Sequence, residues 1–108
     1  GTERVQKFRE LLGELKSAGI DLFIISTGFK TLFAPLMNDV GLLEFFPDEQ
    51  VFGQQEQIAL TGGCVKGELI KKIKAARGWD YSDVLFIDDS ARNIESAKDV
   101  CETYHVPQ

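Results

Sequence analysis

Val84-Leu85-Phe86-Ile87-Asp88-Asp89-Ser90-Ala91-Arg92-Asn93 joins an apolar run to an acidic pair and then to a helix-forming segment. Four apolar residues in a row, two of them β-branched, predict a strand buried on both faces, as in a parallel sheet. Asp88-Asp89 closes that strand. Ala91 to Cys101 predicts a helix, with Ile94, Ala97, the Lys98 stem and Cys101 spaced to face inward. Upstream, Ile20-Asp21-Leu22-Phe23-Ile24-Ile25-Ser26 repeats the arrangement. Leu22 to Ile25 reads as a second doubly buried strand. Thr27-Gly28 turns the chain into a helix running from Phe29 or Lys30 toward Asn38, and Pro35 inside it predicts a kink or a late start.

The rest of the chain fits around these two strands. Glu3 to Ala18 carries Val5, Phe8, Leu11, Leu12 and Leu15 at helical spacing, with Gly19 as its stop. Phe45-Phe46-Pro47 marks a short turn. Gln50 to Gly53 reads as a short strand and Gln57 to Thr61 as another. Lys66 to Arg77 is a helix with Leu69, Ile70 and Ile73 on its apolar face, ended by Gly78. Tyr104-His105-Val106 is a last short strand. Strands alternating with helices mean an α/β fold with a parallel sheet. At 108 residues the chain is one small domain or part of a larger one.

With 44% apolar and 27% charged residues, the composition is that of a packed chain rather than a disordered one. A net charge of −5, from 17 acidic and 12 basic residues, lacks the basic face that nucleic-acid binding needs. The two cysteines, Cys64 and Cys101, are far apart, and His105 is the only histidine, so a zinc site is not expected and reduced thiols are. No apolar run reaches the roughly 20 residues of a membrane span, and no secretory leader is visible, so no membrane partner and a cytoplasmic, intracellular location are expected.

Ligands of open parallel sheets bind beyond the carboxyl ends of the strands. One such end is Ser26-Thr27-Gly28. A hydroxyl beside backbone N–H groups at a helix start suits an anion, while the plainer reading has Ser26 or Thr27 capping the helix. The other end is Asp88-Asp89. Two adjacent carboxylates repel unless a positive charge lies near, and magnesium takes one or two carboxylates with water and phosphate oxygens. The plainer reading has Asp89 as a helix cap and Asp88 solvated. Lys66 opens a helix, the wrong end for a cation, which is easier to understand if it reaches an anion; otherwise it is a surface lysine.

These places together resemble the haloacid dehalogenase-type phosphohydrolases. Phe23-Ile24-Ile25-Ser26-Thr27-Gly28-Phe29 resembles the family's second motif, Lys66-Gly67-Glu68-Leu69-Ile70 its third, and Leu85 to Ala97 its fourth. The resemblance runs from the first helix to about Val100. It implies a Rossmann-like three-layer α/β fold and Mg2+ as cofactor. It also implies that Ser26, with Thr27 and Gly28, binds the transferring phosphoryl group, and that Lys66 offsets charge on it and on the nucleophile. Asp88 and Asp89 would hold or orient the metal, and Asn93 would orient the acidic loop.

The family's first motif, Asp-x-Asp-x-Thr, which supplies the attacking carboxylate, does not occur in the sequence; Gly1-Thr2 matches only the tail of such a run. Residues 1–108 therefore read as a partial core domain of this type with its central first strand missing, inactive alone, whose phosphorylated substrate needs an upstream nucleophile segment. Such a gap is expected to be filled by another segment, closed by direct pairing of the two apolar strands, or covered by self-association or a partner segment at the open edge. The alternative function is a degenerate, non-catalytic binding or structural module. A phosphate-accepting receiver is rejected, because receivers carry the acidic pair first and here it comes last. The stretch between Ser26 and Lys66 is too short for a large inserted cap.

Overall fold

The computed structural model of the chain describes residues 2–107. Gly1, the first residue of the Gly1-Thr2 match, lies outside them. The chain divides into two compact units, residues 1–56 and 57–108.

In the first unit, α1 (Thr2–Ser17) runs as its spacing predicts and buries Leu12. Arg9 and Lys16 of α1 bind the 3-10 turn Leu43–Phe45: Arg9 pairs with Glu44 and lies over the Phe45 ring, and the Lys16 ammonium donates to the Phe45 carbonyl. Strand β1 (Ile24–Ile25) pairs in parallel with β2 (Val51–Phe52), Ile24 opposite Val51 and Ile25 opposite Phe52. β1 is shorter than the predicted Leu22–Ile25 and only half-buried. The reason lies at its start, where the Leu22 carbonyl accepts from the Gln50 side-chain amide at 2.7 Å instead of from a neighbouring strand. Helix α2 (Lys30–Asp39) starts at once and passes through Pro35. Thr31, whose carbonyl loses its helical donor to Pro35, is an exposed residue, as is Pro35.

Helix α3 (Gln54–Thr61) replaces the strand predicted at Gln57 to Thr61, and the division between the units falls within it. The apolar triplet Ile58-Ala59-Leu60 suits either state. The run of helix formers Gln54 to Gln57 ahead of it decides for the helix.

In the second unit, α4 (Lys66–Arg77) has the predicted bounds. It ends where Gly78 takes a left-handed conformation (φ 69°) that lets the Trp79 N–H return to the Lys74 carbonyl. Strand β3 (Leu85–Asp88) pairs in parallel with β4 (Glu102–His105), and α5 (Ala91–Ala97) provides the crossover that a parallel pair requires. Helix α5 stops four residues before the predicted Cys101, where the Val100 N–H tightens onto the Ala97 carbonyl three residues back rather than four.

The core of this unit is Leu69, Ile70, Phe86, Ala97 and Cys101. β3 was predicted to be buried on both faces. Phe86 is buried, but Leu85 and Ile87 on the opposite face are each 58% exposed, as is Tyr104 of β4 at 56%. Among the described residues the strands form two separate two-stranded sheets, β1-β2 and β3-β4, so the two apolar strands do not pair directly.

Candidate functional site

The second unit holds the charged residues singled out by the sequence. Lys66 is the first residue of α4 and is 7% exposed, in a protein whose other lysines lie mostly at the surface. Its ammonium donates to Asp88 Oδ2 at 2.8 Å, and both side chains are 9% exposed. The ammonium also lies over the Phe86 ring, 5.9 Å from its centroid. Asp88, the last residue of β3, accepts from three directions. Oδ2 also takes the Asn93 side-chain amide at 3.2 Å, and Oδ1 takes the Ser90 backbone N–H at 2.8 Å. Burial alone would raise the Asp88 pKa. The bond from Lys66, the Ser90 N–H, the Lys66 charge and the Asn93 amide outweigh it and hold the carboxyl below the ordinary aspartate value, so it stays ionised.

The plainer alternatives fail at these positions. Ser90, not Asp89, caps α5: its hydroxyl accepts the Asn93 N–H at 3.3 Å. Asp88 is paired rather than solvated, and Lys66 is buried rather than at the surface. Asp89 is exposed, and its backbone carbonyl meets His105 Nε2 at 3.0 Å. The Val106 N–H donates to the Asp88 carbonyl at 2.8 Å, so the end of β4 braces the acidic loop. His105 was not foreseen as a neighbour of this site, nor was Ser96, whose hydroxyl accepts the Gly67 N–H at 3.1 Å at the start of α4. For Gly67 a signal existed, since a glycine inside a first helical turn costs about 1 kcal/mol and invites a packing reason.

The first unit holds Ser26, Thr27 and Gly28 at the carboxyl end of β1. The Ser26 N–H extends the ladder to the Phe52 carbonyl at 2.8 Å, and its hydroxyl accepts the Gly28 N–H at 3.0 Å. Thr27 and Gly28 are exposed. Neither hydroxyl caps α2, whose N-cap is Phe29 with no side-chain cap bond. The turn is fixed from below by Gly53. A Cβ there would lie 2.6 Å from the Lys30 nitrogen and 2.8 Å from the Gly28 carbonyl oxygen, which accepts the Gln54 N–H at 2.9 Å.

A metal can be tested against the donors present. Among the described residues no three His, Cys, Asp or Glu side chains come together. Magnesium asks for less, one or two carboxylates with the remainder from water and phosphate. Asp88 Oδ1 accepts one hydrogen bond, and an ionised carboxylate oxygen has two acceptor directions. That leaves Asp88 Oδ1 one direction for such an ion, with water and phosphate oxygens supplying the rest of its shell.

A family model for haloacid dehalogenase-like hydrolases matches residues 5–100. The chain belongs to this family. The match takes in every residue of the candidate site except those at the end of β4. No curated protein and no solved structure matches the haloacid dehalogenase-like chain. Among its described residues no helix is long and apolar enough to cross a membrane.

Proposed function

We propose that this haloacid dehalogenase-like chain is the phosphate- and metal-handling part of a magnesium-dependent phosphohydrolase or phosphotransferase. The observation that carries the reading is the buried Lys66–Asp88 pair at the carboxyl end of β3. A lysine kept at a helix start, against the helix dipole, and beside a carboxylate held ionised is arranged to meet further negative charge.

In this reading Lys66 offsets charge on a phosphoryl group, as phosphoryl transfer requires. Asp88 and Asp89 hold the magnesium that the family generally uses, which when bound would neutralise phosphate oxygens. Asn93 and Ser90 fix the Asp88 carboxylate. In the first unit, the Ser26 and Thr27 hydroxyls offer donors to phosphate oxygens, the Ser26 and Gly28 N–H groups being taken by the Phe52 carbonyl and Ser26 Oγ.

The attacking carboxylate has no counterpart in the 108 residues, so the chain alone is proposed to be inactive toward a phosphorylated substrate. The exposed Leu85 and Ile87 support an incomplete sheet that another segment or a second copy completes. The test adds Mg2+ and an aryl phosphate to the chain with and without an extended peptide ending in Asp-x-Asp-x-Thr. Hydrolysis only with the peptide, abolished by Lys66→Ala, is expected. Turnover by the chain alone would refute the reading.

A non-catalytic module is the second reading, and one observation favours it: Asp88 Oδ2 is already committed to Lys66 and Asn93. Failure of Mg2+ to bind at all would decide for it.

A further inference from the structure

Lys66 is tied at both of its ends to the same short stretch of α5, at its side-chain end by way of Asp88 of β3. At its side-chain end the ammonium meets Asp88 Oδ2, which also takes the Asn93 side-chain amide. At its backbone end the next N–H, that of Gly67, donates to Ser96 Oγ at 3.1 Å. The Ser96 hydroxyl in turn donates to the Asn93 carbonyl at 2.7 Å. The path Lys66, Asp88, Asn93, Ser96, Gly67 and back to Lys66 is therefore a closed ring.

Two further facts tighten it. The Gly67 N–H belongs to the first turn of α4, where no intrahelical acceptor exists, and α4 has no side-chain cap of its own, its N-cap being Val65. Ser96 supplies that acceptor from another helix. The approach is also as close as backbone permits. A Cβ on Gly67 would sit 1.9 Å from the Ser96 carbonyl oxygen, so only glycine lets the two helices meet there.

We propose that Ser96 is a positioning residue for Lys66, tying the start of α4 to the residue that orients Asp88; as a statement about catalysis this rests on the function proposed above. Ser96 touches neither charged group. It acts by denying the lysine backbone freedom to slide along α5. Without its hydroxyl the Gly67 N–H loses its acceptor and the Asn93 carbonyl loses a donor. The Lys66–Asp88 bond is then left to hold its own geometry against the entropy of a four-carbon stem.

The experiment is nuclear magnetic resonance of the isotope-labelled 108-residue chain, following the Lys66 ammonium and its hydrogen-bond coupling to the Asp88 carboxylate carbon. The wild type is expected to show a slowly exchanging ammonium coupled to Asp88. Ser96→Ala should lose the coupling and speed the exchange about tenfold, the factor that matches one hydrogen bond of ordinary strength. Ser96→Thr, which keeps the hydroxyl, should restore both. Ile70→Val loosens the same core without touching the ring, and should leave the signal intact although it lowers the melting temperature.

An unchanged ammonium in Ser96→Ala overturns the proposal. So does equal loss in Ile70→Val, since that would make the effect one of general stability. Inorganic phosphate binding by the wild type, measured alongside, reports on the function separately: no phosphate binding with an intact, Ser96-dependent ammonium signal refutes the phosphohydrolase reading while supporting the positioning role.

Discussion

The two units finish a strand alike and secure the end by different means. In the first, Ser26-Thr27-Gly28 is held without charge, by the Gln54 N–H on the Gly28 carbonyl, the Gly28 N–H on the Ser26 hydroxyl and the bare Cα of Gly53 below. In the second, Asp88 is held by charge and side-chain bonds, from Lys66, Asn93 and the Ser90 N–H. An uncharged turn closed by its own short hydrogen bonds depends on the packing beneath it. A carboxylate removed from water needs a counter-charge and donors to stay ionised. The first arrangement should therefore be sensitive to volume and indifferent to pH, and the second sensitive to both.

Gly67→Ala should have the largest effect, because its Cβ would meet backbone that cannot rotate away. A loss of more than about 3 kcal/mol, the upper end of overpacking costs, is expected in urea denaturation. Lys66→Met should follow at about 3 kcal/mol, since it strands a carboxylate that is 9% exposed, and adding Asp88→Leu should recover much of it. Gly53→Ala should cost about 2 kcal/mol, with spectral change confined to the first unit. If Lys66→Met is instead neutral, charge is not what holds the second strand end, and the contrast between the units collapses.

The pH response sharpens it further. The folded Asp88 value lies below the ordinary range, so the unfolded chain takes up that proton first as pH falls. The stabilisation is complete above about pH 4 and is lost as pH drops through the folded value. Denaturation midpoints between acid and neutral pH should show this in the wild type and a flatter dependence in Lys66→Met.

The smallest effect concerns Cys101. Burial raises its thiol above the ordinary value, against a partial lowering by Lys74. Its protonated-state contribution is present below about pH 8.5 and fades as pH rises through the raised value. A thiol reagent should label half-buried Cys64 first, and Cys101 only on unfolding.

What the sequence made legible was what periodicity and end signals encode. The bounds of α4 follow from Leu69, Ile70, Ile73 and Gly78, and the acidic loop from an apolar run ending in two carboxylates. At α3, periodicity failed because three apolar residues before Gly62-Gly63 suit either state. At β3, an apolar run cannot say how many faces are covered, and here Leu85 and Ile87 are not. Ser96 was invisible as a neighbour of Lys66 because its role depends on a helix crossing, and His105 because a register between β3 and β4 brings it to the acidic loop.

The outward side of the β3-β4 ribbon, where Leu85, Ile87 and Tyr104 meet solvent, bears on how the folded protein will report on itself. Fluorescent probes such as anilinonaphthalene sulfonate light up on greasy patches and are commonly taken as a sign of loosened tertiary structure. Here a well-ordered native state already displays such a patch. Dye emission should therefore be high before any denaturant is added, and only near-ultraviolet circular dichroism or sharp side-chain resonances can distinguish native from molten material.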